Sequence, residues 1–197
     1  MTPPKTKFTK EKILQAAFEI LEKKGWKNVS ARSIAAYLGA STMPIYSALD
    51  SMADLKEELQ KRTYETVCFY QTRTYTKDPF LDSAVGYVKF AQEKPHLFSF
   101  LFLESPQPVS AQSVEELKNR LPEELRDRPL KDAFKETKKG GVTALLLNSW
   151  VFTHGLAALL YSGVLTGLSE KDIIRFLSGA GKAFSRGLKS KGKQKAQ

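Results

Sequence analysis

Apolar residues recur along most of this chain at three- and four-residue spacing, the period of a helix with one buried face. Between Thr9 and Lys24 the repeat is carried by Ile13, Leu14, Ala17, Phe18 and Leu21, with charged residues on the other faces. Thr9 is placed to cap this helix and Gly25 to end it. A tighter pattern follows over residues 30–49, SARSIAAYLGASTMPIYSAL. Ser30 can cap a short helix striped by Ile34, Ala35 and Leu38, and Gly39 can take the left-handed conformation a sharp turn needs. Ser41 or Thr42 can cap a second short helix, whose apolar side holds Ile45, Ala48 and Leu49. Two short helices around a glycine turn, crossing closely over Ala35, form the pattern of a helix-turn-helix.

The periodicity continues beyond it. Asp50-Ser51 predicts the start of a helix near Met52 that runs to Gln71, about 20 residues and about 30 Å. Cys68 sits on it as a small side chain rather than a nucleophile, because no basic neighbour in sequence would lower its thiol pKa. A helix is expected over Phe80–Gln92, stopped before Pro95. The run His96–Leu103 alternates like a strand, but nothing nearby could form a sheet with it, so it too is assigned as helix. Residues 104–141 are polar and broken by Pro106, Pro108, Pro122 and Pro129, leaving helices at Ser110–Arg120 and Pro129–Lys138. Gly141–Leu165 is apolar on most faces, which suits a membrane span or a helix buried in a bundle or subunit interface. Asn148, Ser149, Thr153, His154, Gly155, Ser162 and Gly163 interrupt it, which favours the buried helix. Ser169–Leu188 is amphipathic, opens on a weak capping box with Asp172, and carries small residues that permit close helix approach. The predicted fold is all-α. A three-helix DNA-binding domain occupies residues 1–52, a helical bundle 53–188, and a basic tail without fixed structure 189–197.

Charge adds a partner to this outline. The net +10 is concentrated at the ends: +4 over residues 1–62, zero over 63–181 and +6 over 182–197. A basic segment around a helix-turn-helix points to nucleic acid. A single cysteine excludes an internal disulfide framework, and with two histidines it cannot build the usual zinc sites. A reducing cytoplasm is the expected setting, and the polar N-terminus has no apolar segment behind it to act as a secretory signal. Catalysis is not expected. Gly179-Ala180-Gly181-Lys182 fails as a phosphate loop, because Phe176 and Ala183 stand where glycine and a hydroxyl residue are required. No nucleophile elbow, metal-ligand pair or cofactor motif accompanies it.

The order of amphipathic helix, Gly25, Ser30-Ala31-Arg32-Ser33-Ile34-Ala35, Leu38-Gly39-Ala40-Ser41, Pro44-Ile45-Tyr46 and a helix containing Leu55 resembles the N-terminal domain of the TetR/AcrR family. The likeness covers roughly residues 8–60. Ala48-Leu49 replaces the family's usual His-Phe pair, and Met52 stands where a phosphate-binding lysine is usual. The Trp150-x-x-x-His154-Gly155 spacing resembles a pattern in the C-terminal domains of part of the family. The resemblance implies a regulator of transcription, expected to be a repressor, that binds a palindromic operator as a homodimer and responds to a small, largely apolar ligand. The alternative is a helical interaction or membrane-associated protein using the apolar surface of residues 141–188.

For DNA the candidates are Ser30, Arg32, Ser41, Thr42, Met43, Pro44, Tyr46 and Lys56. Ser30 begins a helix whose free N–H groups can meet phosphate, and Arg32 can reach a guanine edge or a phosphate. Residues 41–44 open the recognition helix, with Met43 and Pro44 suited to thymine methyls. Tyr46 resembles the family's phosphate-contacting tyrosine. Lys56, with Lys5, Lys7 and Lys10 of the arm, is a candidate for backbone contact. For a ligand, aromatic supply within a helical bundle nominates Tyr87, Phe90, Phe98, Phe102, Trp150, His154 and Tyr161. Most of these are expected to be plain core, His154 included.

Overall fold

The computed structural model describes residues 8–49, 51–106, 108, 114–119, 121–126 and 139–194. Among these residues every regular element is helical. The chain packs as two compact units. The first holds the described residues up to Thr66 together with Lys94–Pro106, and the second holds Val67–Glu93 with the described residues beyond. The boundary expected at 52/53 is therefore not where packing divides the chain. Helix α4 contributes to both units, and the downstream segment Lys94–Pro106 joins the first.

In the first unit, α1 (Lys10–Lys24) is capped by the Thr9 hydroxyl, which accepts from the Lys12 N–H at 3.3 Å. Its face of Ile13, Leu14, Ala17, Ile20 and Leu21 is buried. A 3-10 turn at Trp26–Asn28 leads to α2 (Ala31–Tyr37). Ser30 and Ser33 form a reciprocal capping box: each hydroxyl accepts the other residue's backbone N–H, at 3.1 and 2.9 Å. Such a cap contributes about 1 kcal/mol. Gly39 turns the chain at φ +62°, a backbone conformation that costs other residues strain. Helix α3 (Met43–Ala48) begins differently from expectation. Thr42 occupies the cap position with helical angles and no side-chain cap bond, and Pro44 near the first turn pre-sets the backbone instead. Helix α4 (Met52–Gln71) is capped by Ser51, whose hydroxyl accepts from the Asp54 N–H at 3.0 Å, while Asp50 lies outside the described residues.

The run 95–104 is helical as expected, but only its start is α-helix. Helix α6 (Pro95–Phe98) widens into a π-helix over Ser99–Glu104. A wider turn brings neighbouring apolar residues to one side, and Leu97, Phe98, Phe100 and Leu101 are all buried. This segment packs on α1, with the Trp26 and Phe100 rings 5.2 Å apart.

The second unit is built on α5 (Pro79–Glu93), α9 (Lys139–Tyr161) and α10 (Glu170–Gln194), which pack against one another. Two short helices, α7 (Val114–Lys118) and α8 (Glu123–Arg126), lie between them in sequence. The first falls inside the expected Ser110–Arg120 helix, the second was not expected, and the helix expected at Pro129–Lys138 lies outside the described residues. Helix α9 is long and apolar enough to cross a membrane, with mean hydropathy 1.4 over Val142–Tyr161, yet it packs on α5 and α10. Helix α10 opens on the Ser169–Asp172 box and continues to Gln194, so most of the tail expected to lack structure is helix.

Gly86 allows α5 to press on the last turn of α4. A Cβ there would lie 2.0 Å from the Tyr70 carbonyl oxygen, a backbone atom that cannot rotate away. Gly86→Ala should cost at least about 1–3 kcal/mol through overpacking. Urea denaturation would show this as a lowered midpoint, and an unchanged midpoint would exclude the close approach.

Candidate functional site

The outward side of residues 30–49 is built by burying the inward side. Ile34, Ala35 and Ile45 are buried, which turns Arg32, Ser41, Thr42, Met43 and Tyr46 to solvent. Met43 and Tyr46 are 75% and 69% exposed, far more than apolar packing would leave large side chains. Among the described residues, the side chains of Arg32, Ser41, Thr42 and Tyr46 make no hydrogen bond or ion pair. Hydroxyls at 41, 42 and 46 and one guanidinium are thus available to an external partner. Ser30 is exposed, but its hydroxyl is already engaged, accepting from the Ser33 N–H and donating to the Ser33 hydroxyl, each at 3.1 Å. Pro44 is half-buried. Lys56 is also half-buried, its ammonium 5.7 Å from the centre of the Trp26 ring. Lys5 and Lys7 lie outside the described residues, and Lys10 is exposed at the start of α1.

Two features here were not read from the sequence. Lys27 is exposed on the turn before Ser30, where a basic residue beside a cap was a usable signal. Tyr37, also exposed, donates its hydroxyl to the Glu19 carboxylate and clasps α2 to α1. That bond holds the Glu19 carboxyl below its usual range and raises the Tyr37 phenol. The partners are 18 residues apart, which no local pattern reveals.

The seven ligand candidates fall in both units. Phe98 and Phe102 belong to the first, where their rings lie 5.4 Å apart. In the second, Phe90 is fully buried against Tyr70, and Tyr161 lies at the end of α9. Tyr87, Trp150 and His154 do meet: the Tyr87 hydroxyl is 2.9 Å from His154 Nδ1, and the Trp150 and His154 rings are 6.0 Å apart.

A cavity of about 420 Å³ opens elsewhere in the second unit, among the start of α5 and the middles of α9 and α10. Phe80, Leu81, Leu145, Phe152, Leu177 and Phe184 supply its apolar wall, and none of the seven candidates lines it. The signal for it was present in α9, where Leu145, Ser149 and Thr153 repeat every four residues and place two hydroxyls in an apolar helix. Among the described residues no group of three or more His, Cys, Asp or Glu is arranged to hold a metal.

A small helix-turn-helix unit and a helical body define a class of two-part regulators. Residues 80–178 match the tetracyclin repressor-like C-terminal domain. The chain belongs to the TetR family of transcriptional regulators. Over 97 residues it is 25% identical to an uncharacterized HTH-type transcriptional regulator of Mycobacterium tuberculosis, a stretch covering 47% of this chain and 44% of that protein. The match thus spans less than half of that relative. A protein with unknown function from Rhodococcus sp. RHA1 shares the fold, with TM-score 0.66 and 21% identity over 95% of this chain and 99% of that one.

Burial pushes the His154 imidazole below its ordinary 6.5, so the folded protein holds it neutral. On acidification the unfolded chain takes up this proton first, so stability is lost as pH falls through 6.5 toward the depressed folded value. Thermal melts should therefore decline more steeply in this window for the wild type than for His154→Gln. Parallel declines would remove His154 from the acid sensitivity.

Proposed function

We propose that this chain binds duplex DNA through residues 30–49 as a symmetric homodimer and represses transcription until a small ligand occupies its second unit. The observation that carries this reading is the set of exposed side chains on α2, α3 and the turn between them: one cation and three hydroxyls without a partner among the described residues, and an exposed methionine, all turned away from the buried side. Such a surface reads base edges and phosphates together. Arg32 meets a guanine edge or phosphate, Ser41 and Thr42 hydrogen-bond at the groove, Met43 and Pro44 touch thymine methyls, and Tyr46, Ser30 and Lys56 meet the backbone. The cytoplasm is the compartment this role requires.

Dimerisation is supported by the outer faces of α9 and α10. Val151, Gly155 and Leu159 form one stripe on α9, and Phe176 with Gly179 another on α10. The large residues among them are exposed, and a Cβ at either glycine would meet nothing within 4 Å. A second copy packed there would set two recognition helices on a palindrome, in grooves about 34–36 Å apart or at a longer spacing. The apolar stripe on α9 equally suits a membrane-associated helix, which a detergent-free sedimentation measurement showing a soluble dimer would exclude.

Selection of bound fragments from genomic DNA tests the reading, and binding should weaken steeply with salt. Arg32→Ala should lower operator affinity about tenfold to a hundredfold, the worth of a bidentate base contact, while leaving the dimer intact. Unchanged gel-shift titration would remove Arg32 from the interface. Tyr46→Phe should weaken all sequences alike by a few-fold, as for one lost phosphate bond. A loss confined to certain sequences would make Tyr46 a base reader.

A further inference from the structure

The cavity between α5, α9 and α10 combines two kinds of wall. Phe80, Leu145, Phe152 and Leu177 give it an apolar body. Against this stand Ser149 and Thr153 one turn apart on α9, and Ser178, Lys182 and Arg186 at successive turns of α10. Thr153 is only 7% exposed, yet its hydroxyl makes no hydrogen bond among the described residues. The hydroxyls of Ser149 and Ser178 are likewise unpartnered, whereas the nearby Ser185 hydroxyl donates to the Gly181 carbonyl at 2.9 Å. The Thr153 hydroxyl is not wholly cut off from solvent but opens on the cavity, where a ligand oxygen or nitrogen can bond to it.

Charge then selects the ligand. Lys182 and Arg186 make no ion pair among the described residues. Among the described residues the wall carries one carboxylate, Asp78, whose Oδ1 accepts the Phe80 and Leu81 N–H groups at 3.0 and 3.3 Å where α5 begins, so the two cations outnumber it and leave the wall net positive. Two unpaired cations therefore face a largely apolar space whose volume suits a small molecule.

We infer that this cavity takes a small organic acid, its aromatic or aliphatic body against Phe80, Leu145, Phe152 and Leu177 and its carboxylate on Lys182 and Arg186. A polar group on the body meets Thr153. The assignment rests on the ligand-responsive part of the function proposed above and names the chemical class of that ligand.

Isothermal titration of the full chain without DNA tests it, using benzoate, phenylbutyrate and octanoate, each paired with its neutral amide. At least one acid should bind saturably and about tenfold more tightly than its amide, the worth of a charge-assisted hydrogen bond. The double variant Lys182→Gln, Arg186→Gln should bind the two alike, and because both residues are exposed it should fold normally. Thr153→Val, with similar shape, should weaken the acid a few-fold with an unchanged thermal melt. No acid outbinding its amide up to millimolar concentration would overturn the inference, as would a preference that survives in the double variant. Adding the best acid to the protein–operator complex separates the two readings. Acid that binds without releasing DNA would keep this site and overturn the regulatory role. A chain that holds its operator but prefers no acid would overturn this site alone.

Discussion

Helices α2 and α3 have seven and six residues, too short to persist in water unaided, so tertiary burial must hold them. Ile34, Ala35 and Ile45 supply that burial. Because the same residues fix the rotation of both helices, they also determine which side chains point outward. The reciprocal Ser30–Ser33 cap fixes where α2 begins, and the left-handed Gly39 fixes where it ends. The outward surface can therefore be nearly uncharged and still well defined. Its one guanidinium and unpartnered hydroxyls are held by apolar contacts on the other side rather than by one another.

In the second unit, α9 meets different surroundings around its circumference. Leu145, Leu146, Leu156 and Ala157 are buried, Leu145, Ser149 and Thr153 border the cavity, and Val151 and Leu159 reach solvent. An apolar helix with no polar side is costly to leave in water, and packing on α5 and α10 relieves only part of that cost. The remaining apolar stripe, with open glycines beside it, is the reason a second copy enters the proposed function. Its high mean hydropathy thus has a physical account within a bundle.

Local chemistry made much of this legible. Thr9, Ser30, Ser51 and Ser169 all act as caps, because a cap bond joins residues three apart and depends on little else. The cap expected from Ser41 or Thr42 failed for a reason equally local: Pro44 already pre-sets the first turn, and the hydroxyls are left free. The aromatic candidates for a ligand site illustrate the opposite case. Composition cannot separate Phe90, which is core, from Phe80 and Phe152, which border a cavity, since all are apolar residues on helices.

By itself the sequence determined the all-helical class, the start of most long helices and the helix-turn-helix at residues 30–49. These follow from periodicity, caps and a glycine turn, each acting over a few residues. Only the tertiary structure decided that Lys94–Pro106 joins the first unit, that Tyr37 clasps Glu19, and that Thr153 opens on a cavity beside Lys182 and Arg186. Those relations join residues far apart in the chain. Their energies come from burial and charge in three dimensions, and no repeat along the sequence encodes them.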